Sequence, residues 1–213
     1  MQHPAQDDDT TSSPRNRRNA QRRRVIFRAL HDCIIEHGYS KTTLAHIARK
    51  AEMSASHLLY YFQGKEHMLE EYFATVAQWF LLQIERIAKQ PTEEQIELWA
   101  QLWFGEGEDA YNDIGFMLEC FGEAVHDGVM RKTKGDFDRQ CKEFLKPLFP
   151  LDPNAPHDIP QGSKARPSSS EEAAEVAYSL LIGLRSSVYF SDGMSASSAA
   201  RYFQDTVRSL QQH

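Results

Sequence analysis

The chain has 213 residues, 41% of them hydrophobic and 25% charged, enough length for a sizeable core and a composition ordinary for a globular protein. Its densest apolar run, residues 178–184, is only seven long, far short of a membrane span, and the polar N-terminus lacks the apolar centre of a secretory signal, so a cytoplasmic protein is expected. The net charge of −6 is unevenly spread: residues 15–65 hold eleven Lys/Arg against three Asp/Glu, residues 66–213 thirteen against twenty-four, which points to a polyanion partner at one end.

Residues 1–14 carry Pro4, Pro14 and the run Asp7-Asp8-Asp9 without apolar periodicity, and a disordered tail is expected there. From Arg15 the pattern turns helical, with Ile26, Ala29, Leu30, Cys33 and Ile34 at three- and four-residue spacings, and Gly38 suits the residue just past the helix end. Arg17, Arg18, Arg22, Arg23 and Arg24 crowd its beginning, where the helix dipole disfavours cations. Such residues imply an external use.

A short second helix follows, capped by Thr42 or Thr43 and ending near Glu52; Ser54 then caps a third, running to Tyr61. A long fourth helix opens at Lys65-Glu66 and closes before Pro91. Further helices are expected over residues 92–104, 108–127, 129–149, 170–190 and 196–211, with a linker over 150–169 containing five prolines. Strand signals are absent. The fold class is therefore all-α, about nine helices in all.

Helix, short break, short helix under a basic arm is the layout of a helix-turn-helix. With Leu58 set to the core at 0° and roughly 100° per residue, Phe62 falls near 40° on the same side. Ser56 and Tyr60 then point away, at roughly 160° and 200°, with His57 and Leu59 on the flanks. That outer face offers hydroxyls and an imidazole suited to bases and phosphates.

The stretch IFRALHDCIIEHGYSKTTLAHIARKAEMSASHLLYYFQGKEHMLEEYF, residues 26–73, resembles the DNA-binding domain of the tetracycline-repressor (TetR) family. The resemblance rests on Gly38-Tyr39, Thr42-Thr43, Ile47-Ala48, Met53-Ser54, Leu58, Tyr60-Tyr61-Phe62 and Lys65-Glu66 in order. It implies a homodimeric transcription regulator, usually a repressor, released from its double-stranded DNA operator by a small molecule. By position it implies Thr43 as a phosphate contact, Ala55, Ser56, His57 and Tyr60 facing bases or adjacent phosphates, and Tyr61 and Lys65 as phosphate clamps. Arg22, Arg23 and Arg24 of the basic arm join this DNA-binding set. Two departures stand out. Glu52 replaces a glycine common in the family, which suggests another turn geometry. Leu59 takes the place of a frequent tyrosine, where it would touch a thymine methyl.

By the same resemblance residues 15–65 form the DNA-binding domain and 66–213 a helical domain for ligand binding and dimerisation. Trp99, Trp103, Phe104, Phe116, Met117, Cys120 and Phe121 are ordinary core residues or, on the family reading, the lining of a cavity for a hydrophobic effector. Val176, Leu180, Leu181, Gly183 and Leu184 on one helix, with Ala199, Ala200, Phe203 and Val207 on the other, are candidates for a four-helix dimer interface. Arg185 stands alone in an apolar run, as a surface residue or a partner for an anionic group.

No cofactor is expected and no catalytic motif is found: there is no P-loop, no nucleophile elbow and no H-E-x-x-H. A single E-x-x-H, Glu123 to His126, is half of a di-iron motif and the basis of an alternative reading as a helical metalloenzyme. His31, His37, His46 and His67 lack ligand spacing. Cys33, Cys120 and Cys141 are too widely spaced for a zinc pair and read as reduced, buried thiols. MSASHLLYYF at 53–62 and MSASSAARYF at 194–203 share six of ten letters. The expected explanation is one serine-cap device opening two helices with different faces.

Overall fold

The computed structural model describes residues 14–105, 110–150, 167 and 169–211. All regular structure among them is helical: α1 (Pro14–His37), α2 (Leu44–Lys50), α3 (Ala55–Tyr61), α4 (Lys65–Ile87), α5 (Thr92–Phe104), α6 (Ala110–Ala124), α7 (Gly128–Leu145), α8 (Ser170–Phe190) and α9 (Ala196–Gln211), with a single 3-10 turn, Lys146–Leu148. Pro14, assigned to the tail in the sequence reading, starts α1 instead, where its missing N–H costs nothing. The rest of that tail and most of the proline-rich linker lie outside the described residues. The helix expected at 108–127 is shorter, Ala110–Ala124. Asp127 ends the gap after it, because its Oδ1 accepts the amides of Val129 and Met130 at 2.8 and 2.9 Å and opens α7.

Two compact units emerge. The first comprises residues up to 79 together with 112–134, so α6 and the start of α7 pack with the N-terminal helices. Its core gathers Ile26, Leu30 and Ile34 of α1, Ile47 of α2, Leu58 of α3, Met68 and Leu69 of α4, and Phe116 and Cys120 of α6. A chain of rings runs through it: Phe62 to Phe27 at 5.4 Å, Phe27 stacked on Tyr72 at 5.0 Å, and Tyr72 to Phe116 at 5.1 Å. α3 has only two turns and cannot hold a helix alone; Leu58 and the flanking Phe62, both sealed in this core, fix its orientation.

The second unit comprises residues 80–111 and 135–213. Its core holds Phe80, Trp99, Trp103, Phe137, Leu181, Phe203 and Val207, with Trp103 5.0 Å from Phe80 and 6.4 Å from Tyr178 between ring centres. α9 lies against both α5 and α8.

Candidate nucleic-acid interface

The turns that aim α3 are set by backbone chemistry. Gly38, at φ 76°, ends α1 in the left-handed region that glycine enters without a steric cost. The hydroxyl of buried Thr42 donates back to the carbonyls of Cys33 and Gly38, at 3.0 and 2.8 Å. The cap of α2 falls to its neighbour: Thr43 Oγ1 accepts the His46 amide at 3.2 Å. Because that bond uses a lone pair, the Thr43 hydroxyl proton stays available to a phosphate, and Thr43 is exposed.

α2 closes in a Schellman motif. The Met53 amide bonds Ala48 O at 3.0 Å and the Glu52 amide bonds Arg49 O at 3.2 Å. Glu52, at φ 54°, occupies the left-handed position, so the expected change of geometry is corrected: the glutamate takes up a backbone suited to glycine, at a steric cost. Ser54 then caps α3 by accepting the His57 amide at 3.1 Å. The same device recurs where Ser195 accepts the Ser198 amide at 3.0 Å and α9 begins.

α3 presents Ala55, Ser56, His57, Leu59 and Tyr60 to solvent. Tyr60 is 69% exposed and Leu59 49%, large apolar surface for so short a helix. Tyr61, half-buried, lies edge-on to Tyr60 at 5.2 Å and beside the His57 ring at 5.4 Å. The wheel drawn from Leu58 therefore describes this helix side by side with its environment.

Lys65 and Arg23 have internal partners that sequence reading missed. The Lys65 ammonium donates to Tyr39 O at 3.0 Å and sits 4.0 Å from the centre of the Tyr39 ring. Two of its three donors are left for an anion. The Arg23 guanidinium pairs with Glu71 and lies 4.5 Å from the Phe62 ring centre, and burial lowers its pKa from the ordinary arginine value. Arg23 is thus a strut between α1 and α4, its guanidinium engaged within the unit, whereas Arg22 and Arg24 are exposed. The partner residue, Glu71, gave no signal in sequence because it comes from a helix 48 positions on. Lys50 of α2 pairs with Glu36 of α1, which holds the Glu36 carboxyl below its usual range and pins the two helices.

A capped two-turn helix with an open face of Ser, His and Tyr, carried on a basic three-helix unit within an all-α chain, has the layout of a helix-turn-helix. Residues 26–72 match the family model described as bacterial regulatory proteins, tetR family. Solved structures agree in fold. A transcriptional regulator from Rhodococcus sp. Rha1 superimposes with a TM-score of 0.73 at 12% identity, covering 89% of this chain and 96% of that one. A TetR transcription regulator from Haloarcula marismortui gives 0.71 at 15% identity, with 91% and 97% covered. A candidate transcriptional regulator from Saccharomonospora viridis, in complex with choline, gives 0.71 at 17%, with 89% and 96% covered. No curated protein matches in sequence.

The expected effector-site residues divide between the units. Trp99, Trp103 and Phe104 are buried in the second; Phe116 and Cys120 are buried in the first, with Met117 and Phe121 half-buried. Of the expected dimer residues, Leu181, Leu184, Ala199, Phe203 and Val207 are buried within the single chain. Val176, Leu180, Gly183 and Ala200 keep exposure, and Phe190 and Tyr202 add exposed rings on the same two helices. Arg185 is a buried residue whose Nη1 donates to Trp103 O at 2.6 Å, a cation at the C-terminal end of α5. His126 lies in the turn beyond α6, which ends at Ala124, so Glu123 and His126 do not share a helix face. Among the described residues no three His, Cys, Asp or Glu side chains gather as a metal site, and no helix is long and apolar enough to cross a membrane. The three cysteines are free and buried.

Proposed function

We propose that the chain is a cytoplasmic, non-enzymatic transcriptional repressor. It binds a (pseudo)palindromic operator as a homodimer and is released by a hydrophobic small molecule. The observation that carries this reading is the open face of α3. Ser54 and Phe62 bracket the helix, Leu58 holds it down, and Ser56, His57, Leu59 and Tyr60 are left exposed to solvent. In this reading α3 enters the major groove, with Tyr60 and His57 reaching base edges and Leu59 meeting a thymine methyl. Thr43, Tyr61 and Lys65 hold phosphates on either side. Two copies are required because a single helix-turn-helix neutralises too few phosphates for tight binding. Val176, Leu180, Gly183 and Ala200 form the surface where the copies meet. The effector favours a spacing of the two recognition helices that no longer fits successive grooves.

The test is binding of the purified protein to the DNA upstream of its own gene at low salt, with a scrambled duplex alongside. Specific retention on the upstream fragment is expected, and Tyr60→Ala changes the base preference. Absence of binding to any upstream fragment, or an equal loss on every sequence for Tyr60→Ala, counts against the assignment.

A further inference from the structure

α1 begins well before the first core residue of its unit. Its first core residue is Ile26, so the twelve positions before it (residues 14–25) add three turns with no buried side chain among those described. At 1.5 Å per residue that is roughly 18 Å of projecting helix. Six arginines stand within its first eleven residues, Arg15, Arg17, Arg18, Arg22, Arg23 and Arg24, and Arg28 follows. No acidic residue lies in the first turn, so the helix dipole opposes this charge rather than stabilising it.

The arginines fall into two stripes. Taking Arg15 as 0° and roughly 100° per residue, Arg18 and Arg22 lie at roughly 300° and 340°, one stripe with Arg15. Further along, Ala29 and Cys33, both buried, occupy the same sector. The stripe therefore continues the side of α1 that faces its own unit, ahead of the first buried residue of that helix. Arg24 and Arg28 lie at roughly 180° and 220°, on the far side. Arg23 fixes where the stripe starts. Its guanidinium against the Phe62 ring, the C-terminal cap of α3, holds α1 beside the end of the recognition helix.

We infer that Arg15, Arg18 and Arg22 form a second, sequence-indifferent DNA contact: a track for the phosphate backbone flanking the base pairs that α3 reads. The inference rests on the DNA-binding reading above. From Arg15 to Arg22 the stripe rises about 10 Å, close to three phosphates at about 3.4 Å of axial rise per strand. All three side chains are exposed, and a fork of guanidinium donors matches phosphate oxygens. Arg24 and Arg28 face away and stay outside this contact. Arg23 acts only by holding the helix in place.

The experiment is fluorescence anisotropy of the full chain on the upstream duplex and on a scrambled duplex, across a salt series. The variants are the triple Arg15→Ala, Arg18→Ala, Arg22→Ala and, as a control, the single Arg28→Ala. Alanine strengthens an exposed helix, so lost binding is not lost folding; helix content by circular dichroism confirms it. Three phosphate contacts correspond to a slope of about 2.7 in log K against log salt. Between about 50 and 200 mM salt the wild type then loses about 40-fold more affinity than the triple variant, counting one protomer. The loss is expected equally on both duplexes, with Arg28→Ala unchanged. A triple variant with the wild-type slope, or an Arg28→Ala variant that loses as much, overturns the inference while DNA binding stands. Loss of only the upstream duplex would make these residues base readers and also overturn it. A wild type that binds neither duplex removes the functional reading itself.

Discussion

The backbone amide of Tyr39 donates to the carboxylate of Glu119 at 3.2 Å, joining the turn after α1 to α6, 80 residues on. The carbonyl of Tyr39 accepts from Lys65, so this one residue is bonded on both sides, to α6 and to the start of α4. Glu119→Ala is expected to lower the unfolding free energy by about 1 kcal/mol, the lower range for a bond to a charged acceptor whose side chain is exposed. Glu119→Gln keeps an acceptor and should recover most of it. Denaturant unfolding measures the cost, and faster hydrogen exchange at the Tyr39 amide locates it. Equal losses in both variants would place the effect elsewhere.

Glu52 holds a left-handed backbone that costs a residue with a Cβ roughly 1 kcal/mol relative to glycine. Glu52→Gly should therefore raise the stability of the DNA-binding unit by about that amount, and Glu52→Val should lower it by more, because a β-branched side chain fits this region worst. The two variants differ in nothing else that the Schellman bonds require. Thermal unfolding that moves in the same direction for both would show that the turn is not strained.

Lys65 has both an internal and an external task on the present reading, and they separate by substitution. Lys65→Met removes the bond to Tyr39 O and the contact with its ring, at a cost of about 1 kcal/mol to folding. It also removes one phosphate contact per protomer, so the salt slope should fall by about 0.9 for each copy bound. A stability loss with an unchanged slope would make Lys65 purely structural.

The helix-turn-helix was legible because its determinants are local. Leu58 and Phe62 at four-residue spacing, Ser54 before the helix, and Gly38 after α1 carry their own conformational chemistry, and each sits as that chemistry requires. What was not legible depends on residues distant in sequence. Arg23 reads as one more arginine until Glu71 and Phe62 are beside it. Phe203 and Leu181 read as interface apolars because composition does not distinguish a face buried within the chain from one buried against a copy. The E-x-x-H failed for a local reason: Asp127 captures the next helix's amides, and α6 stops before His126 is reached.

In the second unit Tyr178 donates its hydroxyl to Asp138 at 2.6 Å. Burial, with Cys141 and Asp138 nearby, drives its pKa far above the ordinary tyrosine value. A group raised on folding contributes stability that is complete below its unfolded pKa, about 10 for tyrosine, and is lost as pH rises beyond it. Tyr72, raised chiefly by burial, adds to the same alkaline loss. Tyr178→Phe should cost about 1 kcal/mol at neutral pH through the missing hydrogen bond. Because phenylalanine does not titrate, the gap to wild type should narrow steadily above about pH 10. Denaturant unfolding at pH 7 and at alkaline pH measures both ends; a gap that stays constant would mean that the Tyr178 hydroxyl does not ionise in the unfolding range.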